Sequence, residues 1–192
     1  AHGSRPEAGD NAIFKMGKLL AYLQDTVIPE LSSADKQGFA SGNTLSVGLI
    51  SGGSKANIIA DHCFITCDVR LLPGSGDAMA FLNQLCKQAS AALGFPVELG
   101  YTHISPAMES AEGHPLLERI QEAMQNLQLT CTPGKVAYCT DGGILSDKGY
   151  PCIILGPGDI LNAHGAVEFV EIDQLEQAAQ IYFEIGKAAV KL

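Results

Sequence analysis

Apolar residues recur along the first half of the chain at two different spacings. After Asn11 they lie three or four residues apart, which predicts a helix that Asp10 caps and that ends at Pro29. Residues 44–50 and 62–70 instead alternate apolar and polar side chains, which is the period of a strand with one buried face. The chain is therefore predicted to open with a helix followed by two strands.

A second helix and a third strand complete the pattern of this first half. Apolar positions between 78 and 92 follow the helical period, Gly94 closes that helix, and residues 96–103 alternate again. The order α-β-β-α-β predicts helices on one face of an antiparallel sheet. One further strand before residue 1 would complete the ferredoxin-like order β-α-β-β-α-β, so we expect the chain to begin inside that module.

The second half has the alternating helices and strands of an α/β domain. The predicted order is a helix from Pro115, a short strand at 136–139, a short helix before Gly149, a buried strand at 151–155 and a last helix from Asp173. The predicted fold class is α/β (α+β). A ferredoxin-like module, with its first strand apparently missing, covers 1–105, and the C-terminal α-β-α-β-α part of an α/β domain covers 106–192.

Composition and charge narrow the function classes. Hydrophobic residues make up 46% of the 192 residues and charged residues 17%, as in ordinary globular proteins. The formal net charge of −9 repels phosphate backbones and anionic lipid, so we expect no nucleic-acid and no membrane partner. The six cysteines include no C-x-x-C pair, and Cys63 and Cys67 would lie about 13 Å apart in one strand. This pattern favours reduced thiols in a cytoplasmic protein.

A histidine in a glycine-rich loop is the first candidate for chemistry. Gly156-Pro157-Gly158-Asp159 follows the predicted strand at 151–155 and leads to His164. Functional groups cluster at the carboxyl ends of strands in α/β sheets, and an imidazole placed there can bind a metal ion or move a proton. The alternative is a loop histidine that hydrogen-bonds to a backbone carbonyl, and on position alone this alternative is the commoner case.

Several motifs, taken in order, resemble one enzyme family. They are HGSRPEAGDNAI at the N-terminus, Gly52-Gly53 followed by Asn57, Asp68-Val69-Arg70 followed by Pro73-Gly74, Cys139-Thr140-Asp141-Gly142-Gly143, and GPG-D-x-x-NAH-x-x-x-E at 156–168. This series resembles the lid and the C-terminal part of the zinc aminoacylase, deacetylase and carboxypeptidase family. The spacing is most similar to the acetylornithine deacetylase branch.

The resemblance implies roles for three residues of the lid. His2 matches a histidine that stabilises the tetrahedral oxyanion, often in the site of the partner subunit. Asn57 and Arg70 match residues that hold the carboxylate of the substrate, and an arginine fork suits a carboxylate. Alternatively Asn57 is a turn residue and Arg70 a surface arginine. A nucleophilic pair of Ser4 and His2 is a further alternative, although residues this close in a loop rarely reach that geometry.

The resemblance also implies a metal centre that this sequence supplies only in part. His164 matches a metal ligand, and Thr140 and Gly142 match a loop beside the substrate, although a helix-capping Asp141 with turn glycines explains that loop as well. The family holds two zinc (or cobalt) ions, about 3.5–4 Å apart in such centres. The other ligands come from a His-x-Asp segment, a bridging Asp and a Glu-Glu pair. This sequence has no His-x-Asp and no Glu-Glu, so we expect the chain alone to be inactive.

The family implies a substrate and a partner. We expect the whole enzyme to hydrolyse an N-acyl amino acid, N-acetylornithine by the branch resemblance, as a homodimer joined through the lid. Glutamate carboxypeptidase-type and desuccinylase-type activities are alternatives within the family. A non-catalytic association module is an alternative of another class, because an exposed strand edge recruits partners. A Ser-His-Asp hydrolase would need a G-x-S-x-G motif, which the sequence lacks.

Overall fold

The chain divides into two compact units, Ala1–Ile104 and Ser105–Leu192. The computed structural model describes residues 1–33, 38–39, 42–108, 112–163 and 165–190. The first unit contains α1 (Ala12–Tyr22), α2 (Ile28–Ser33), β1 (Thr44–Gly52), β2 (Cys63–Arg70) and α3 (Ala78–Leu93). The second unit contains α4 (Pro115–Asn126), α5 (Gly142–Asp147) and α6 (Ile172–Val190). Short 3₁₀ turns lie at Pro6–Ala8 and Ile160–Asn162.

The two strands of the first unit form an antiparallel pair with one irregularity. Val47 lies opposite Cys67, and the next pair is Leu49 with Thr66, so that Gly48 is an extra residue in β1. The bulge changes which residues of β1 share a face with those of β2. On β2 the predicted alternation is confirmed, with the odd-numbered residues turned toward the helices and the even-numbered residues exposed.

The core of the first unit lies between the helices and the inner face of the sheet. Its buried members are apolar side chains from α1, the turn after it, β1 and α3: Met16, Leu19, Leu23, Val27, Leu45 and Ala89. Burying one large aliphatic side chain contributes about 1.5–3 kcal/mol. This cluster therefore fixes the helices against the sheet and leaves the opposite face of the sheet to solvent.

The first helix begins as its sequence predicts but with a different cap. The side chain of Asn11 accepts hydrogen bonds from the backbone N–H groups of Ile13 (3.0 Å) and Phe14 (3.3 Å). Asp10, which the pattern predicts as the cap, instead forms an ion pair with Lys15. Asn and Asp cap helices about equally well. The types of residues 10 and 11 therefore do not decide which of them is the cap, and the backbone geometry does.

The prediction that this helix ends at Pro29 is wrong. A π-helical turn covers Leu23–Val27, and α2 continues through Pro29 to Ser33. In the π turn the N–H of Ile28 bonds to the carbonyl of Leu23, five residues earlier. This shift in the hydrogen-bond ladder just before Pro29 lets the helix pass a residue that has no N–H to donate.

Three segments predicted as strands have no strand partner in the structure. Residues 96–103, 136–139 and 151–155 carry no strand assignment, and the described residues form a single two-stranded sheet. Alternating or continuous apolar residues favour extended backbone, but a strand also needs a neighbour to complete its ladder hydrogen bonds. No described segment supplies that neighbour for these three. The mixed helix-and-sheet class predicted from the sequence is nevertheless confirmed.

The second unit is organised around two helices. The helix predicted from Pro115 is α4, and it packs against α6, with the apolar side chains of Ile120, Ala123, Ala178 and Ile181 buried. Within the residues that the structure describes, no helix has both the length and the apolar character needed to cross a bilayer.

Candidate functional site

The N-terminal segment lies antiparallel to the loop that precedes β2. His2 forms an isolated bridge with Ile58, and the N–H of Gly3 donates to the carbonyl of Asn57 at 2.8 Å. A Cβ at position 3 would lie only 3.2 Å from the carbonyl carbon and oxygen of Asn57, which explains the glycine. This backbone pairing brings two of the predicted site residues, His2 and Asn57, side by side.

The imidazole of His2 contacts Ser4, contrary to the expectation from the sequence. The Nδ1 atom of His2 lies 2.8 Å from the Ser4 hydroxyl oxygen and accepts the Ser4 backbone N–H at 3.2 Å. A tight turn, closed by a 3.0 Å bond from the N–H of Arg5 to the carbonyl of His2, makes this approach possible. Because the backbone amide already shares the lone pair of Nδ1, that atom is a poor general base for the hydroxyl. The contact therefore orients the ring rather than activating Ser4.

Arg70 lies at the last position of β2, on the exposed face of the sheet. Its Nε and Nη2 atoms donate to the two carboxylate oxygens of Asp68 at 2.9 and 3.0 Å. The chain after Arg70 is fixed by Asn43, whose side-chain oxygen accepts the N–H of Leu72 at 2.7 Å and the hydroxyl of Ser75 at 3.2 Å. Both the side chain of Arg70 and the backbone beside it are thus held in place.

The structure separates Arg70 from the other two lid residues within one chain. Asn57 and His2 lie at the end of the sheet where β2 begins, whereas Arg70 lies at the end where β2 stops. Seven strand steps separate Cys63 from Arg70, a span of about 23 Å. One small substrate cannot contact both ends at once, so the residues predicted to grip it do not form one site within this unit.

Asp61 and His62 form a second polar pair, at the start of β2. The Nδ1 atom of His62 lies 2.7 Å from a carboxylate oxygen of Asp61, and this hydrogen bond lowers the pKa of the Asp61 carboxyl. The ring of His62 stacks on Phe64, with 6.4 Å between centroids. No motif in the sequence indicated a role for this pair.

In the second unit, Thr140 and Gly142 belong to one turn that starts α5. The Thr140 hydroxyl oxygen accepts the N–H of Gly142 at 3.2 Å, and the carbonyl of Thr140 accepts the N–H of Gly143 at 3.1 Å. Thr140, and not Asp141, therefore supplies the capping oxygen of this helix. The turn predicted as the alternative is thus present, but its capping residue is Thr140 and not the predicted Asp141. A substrate contact at Thr140 and Gly142 stays a prediction.

Two side chains of α6 hold the glycine-rich loop of the second unit. The hydroxyl of Tyr182 donates to the carbonyl of Leu155 at 2.5 Å, and the side-chain oxygen of Gln174 accepts the N–H of Gly158 at 2.7 Å. These bonds fix the loop at its start and its middle. Neither Tyr182 nor Gln174 belongs to a motif found in the sequence analysis.

The same loop borders an open cleft of about 350 Å³ that Glu168 and Phe169 also line. His164, the predicted metal ligand, lies outside the described residues. Among the residues that are described, no group of three or more His, Cys, Asp or Glu side chains is placed to hold a metal ion. The described residues therefore do not make a metal site by themselves.

The first unit can now be assigned to a class. Residues 1–93 match the family model described as "Peptidase dimerisation domain". This stretch contains the antiparallel strand pair, the helices on one of its faces and the histidine loop beside the sheet. The first unit therefore matches this family over residues 1–93 of the chain. The family resemblance predicted from the sequence motifs is confirmed.

Curated relatives match both units of the chain. The acetylornithine deacetylase of Vibrio vulnificus is 34% identical over 188 residues, covering 94% of this chain and 47% of the relative. The N-formyl-4-amino-5-aminomethyl-2-methylpyrimidine deformylase of Bacillus subtilis is 31% identical over 200 residues, covering 95% of this chain and 47% of the relative. The chain thus spans about half the length of the curated relatives it matches.

A solved structure shares the fold. The crystal structure of a tripeptidase from Staphylococcus aureus matches with a TM-score of 0.72 at 23% identity, covering 100% of this chain and 49% of that chain. At this level of identity the likeness shows the fold alone.

Proposed function

We propose that this chain forms the lid and the C-terminal part of a metal-dependent hydrolase that cleaves the amide bond of an N-acyl amino acid. The names of the relatives, a deacetylase and a deformylase, support removal of a small acyl group. N-acetylornithine is the first substrate to test. Glutamate carboxypeptidase-type and desuccinylase-type substrates are the alternatives within the family. The complete hydrolase means a protein that contains this chain and a segment equivalent to the half of the relatives that this chain does not cover.

Arg70 is the residue that binds the carboxylate of the substrate in this proposal. A guanidinium presents five N–H donors in a planar fork that matches the two oxygens of a carboxylate. Arg70 stands at a strand end on an exposed face, with its orientation set by Asp68 and the following turn set by Asn43. A group held in place before the substrate arrives loses less conformational entropy on binding.

His2 and Asn57 act in the site of a second copy in this proposal. The observation that carries it is their position, at the end of the sheet opposite to Arg70. A twofold homodimer can bring the Arg70 end of one copy to the His2 end of the other. The match to a peptidase dimerisation domain supports such a homodimer. His2 then donates a hydrogen bond to the oxygen that gains negative charge during amide cleavage, and Asn57 assists in holding the carboxylate.

For the metal ions, this proposal concerns only which residues would bind them. His164 is proposed as one ligand of a zinc or cobalt centre, and the complete hydrolase supplies the others. The described residues of this chain form no metal site of their own, so the roles proposed for them are substrate binding and contact with the oxyanion. Thr140 and Gly142 are proposed to border the substrate through their backbone.

A mixing experiment tests the shared site. His2→Ala and Arg70→Ala versions of the complete hydrolase are each expected to be inactive. When the two variants are co-expressed, half of the dimers are mixed, and each mixed dimer has one intact site, so about a quarter of the wild-type activity returns. Co-expression of two copies of the same variant under different tags is the control. Failure of the mixture to regain activity, while mixed dimers are recovered, contradicts the shared site.

Association without catalysis is a second candidate function, favoured by the open sheet. In the described part of the chain each of the two strands has one edge without a ladder partner, and such edges recruit other strands. Sedimentation of the complete protein at several concentrations, combined with an assay on N-acyl amino acids, separates the candidates. A protein that forms dimers and hydrolyses none of these substrates supports association alone.

A further inference from the structure

The nitrogen of His2 that faces Ser4 has a protonation state that the geometry dictates. The backbone N–H of Ser4 lies 3.2 Å from Nδ1 of His2 and points at it. An amide N–H donates a hydrogen bond and cannot accept one. Nδ1 must therefore present a lone pair, and the hydroxyl of Ser4, 2.8 Å away, donates its hydrogen to the same atom.

A neutral imidazole carries its single proton on one of its two nitrogens, and the partner of one nitrogen decides the state of the other. With Nδ1 as the acceptor, the proton is on Nε2. We propose that Ser4 is a positioning residue that holds His2 in the Nε2–H tautomer and sets the direction in which that N–H points.

The backbone of the loop supports this contact independently of the serine side chain. Gly3, between the two residues, is bonded to the carbonyl of Asn57, and the N–H of Arg5 is bonded to the carbonyl of His2. These bonds orient the Ser4 amide toward the ring. Two donors on one acceptor, one of them part of a fixed turn, leave the ring a single favourable orientation.

The significance of this tautomer rests on the proposed function of His2. An oxyanion is stabilised by an N–H donor aimed at it, whereas the lone pair of the other tautomer would repel it. Ser4 then improves catalysis by keeping the donor form of His2 in place before the reaction. It touches no reacting atom in this proposal.

Nuclear magnetic resonance of this chain, with ¹⁵N-labelled histidine, tests the tautomer directly. The couplings of the two ring nitrogens to the ring hydrogens identify which nitrogen is protonated, and His2→Gln identifies the signals of His2 among the five histidines. At a pH where the ring is neutral, His2 is expected to show a protonated Nε2 and a hydrogen-bonded Nδ1. A protonated Nδ1 overturns the proposal.

Variants of Ser4 test the part that its side chain plays. In Ser4→Ala the Nδ1 signal is expected to move toward that of a nitrogen with weaker hydrogen bonds, and Ser4→Thr is expected to restore it. Ser46→Ala is the matched control, because Ser46 is an exposed serine of β1 opposite Asp68 and far from the N-terminal loop. Signals of His2 that stay the same in Ser4→Ala overturn the role of the hydroxyl. Unchanged signals from the other four histidines show that the variant has folded.

Activity of the complete hydrolase separates this inference from the proposed function. Ser4→Ala is expected to lower kcat several-fold with little change in KM, and Ser4→Thr to recover it, while His2→Ala removes far more activity. If His2→Ala leaves activity intact, the proposed function fails even when the tautomer is as inferred. If His2→Ala is inactive but the resonance data show a protonated Nδ1, the inference about Ser4 fails and the proposed function stands.

Discussion

The guanidinium of Arg70 and the carboxylate of Asp68 form a two-point hydrogen bond on the exposed face of the sheet, with lengths of 2.9 and 3.0 Å. Residues two apart in a strand point to the same face, so the D-x-R spacing in β2 places both groups together. The side chains are 50% and 57% exposed, and water screens such a pair to a net worth of about 0–1 kcal/mol. The main effect of Asp68 is therefore on the orientation of the guanidinium plane.

Asp68→Asn in the complete hydrolase is expected to raise KM for an N-acyl amino acid by up to about fivefold, with kcat nearly unchanged. The amide keeps the shape of the carboxylate but loses its charge and one of the two acceptors. In an Arg70→Ala background, which is expected to be inactive, the same change should leave the Kd for the substrate unaltered in a calorimetric titration, because the group that Asp68 orients is gone. Asp25→Asn, an exposed aspartate in the turn after α1, is the matched control. A lower KM in Asp68→Asn would instead identify Asp68 as a competitor of the substrate.

Asn11 and Asp10 allow a direct test of which residue caps the first helix. Asn11→Ala removes the acceptor of two backbone N–H groups, so the free energy of unfolding is expected to fall by about 1 kcal/mol. Asp10→Asn keeps this cap and loses only the ion pair between Asp10 and Lys15. Because the Asp10 carboxylate is exposed, the free energy of unfolding should change by less than about 0.5 kcal/mol. Urea unfolding of the two variants measures the difference. The reverse order of stabilities would favour the cap predicted from the sequence.

Elements whose signals are local could be predicted from the sequence. Gly94 ends α3 in the left-handed conformation at φ 74°, and Pro115 begins α4, both as the pattern indicates. The segment at 96–103 has the alternation of a strand, but alternation carries no information about which segment lies beside it. The π turn before Pro29 likewise depends on a rearranged hydrogen-bond ladder that residue types alone do not reveal.

The sequence predicted the individual residues of the candidate site but did not predict which of them lie close together. Motif spacing selects His2, Asn57 and Arg70, yet only the pairing of residues 1–3 with 57–59 reveals that two of them are neighbours and the third is distant. The role of Asp68 could have been found, since a carboxylate two residues before an arginine in a strand shares its face. The sequence raised a pair of Ser4 and His2 only as a nucleophilic alternative. Their contact depends on a turn that a backbone hydrogen bond closes, and residue types alone do not reveal that turn.

Gly143 marks a place where two segments of the second unit touch. A Cβ at this position would lie 2.1 Å from the carbonyl oxygen of Pro106. Gly143→Ala is therefore expected to lower the free energy of unfolding by about 1–3 kcal/mol or more, because the backbone must move apart. Gly186→Ala is the control: it lies in α6, where a Cβ meets nothing within 4 Å, and alanine there should stabilise the helix by up to about 1 kcal/mol. Thermal unfolding should show a lower Tm for Gly143→Ala and a higher Tm for Gly186→Ala. Equal changes of Tm in the two variants would contradict the close approach of Gly143 to Pro106.

Cys67 faces the core of the first unit, and burial raises the pKa of its thiol above the ordinary value of 9.0, with a smaller contribution from Cys86. The unfolded chain therefore releases this proton at lower pH than the folded chain does, and the stability linked to Cys67 falls as the pH rises above about 9. Cys67→Ala should reduce this loss of stability relative to the unmodified protein. A second measurement uses iodoacetamide at pH 8: Cys139, which is exposed, should react well before Cys67. Equal rates at the two thiols would contradict the burial of Cys67.

Zinc binding by this chain alone is expected to be weak. A structural or catalytic zinc ion takes about three or four protein ligands, and the described residues contain no group of three or more His, Cys, Asp or Glu side chains placed to hold one. Calorimetric titration with Zn²⁺ should therefore show no stoichiometric site of sub-micromolar affinity. His164→Ala is the control, and it should bind zinc as weakly as the unmodified chain. A tight site with one ion per chain, lost in His164→Ala, would show that this chain completes a metal centre without the rest of the proposed hydrolase.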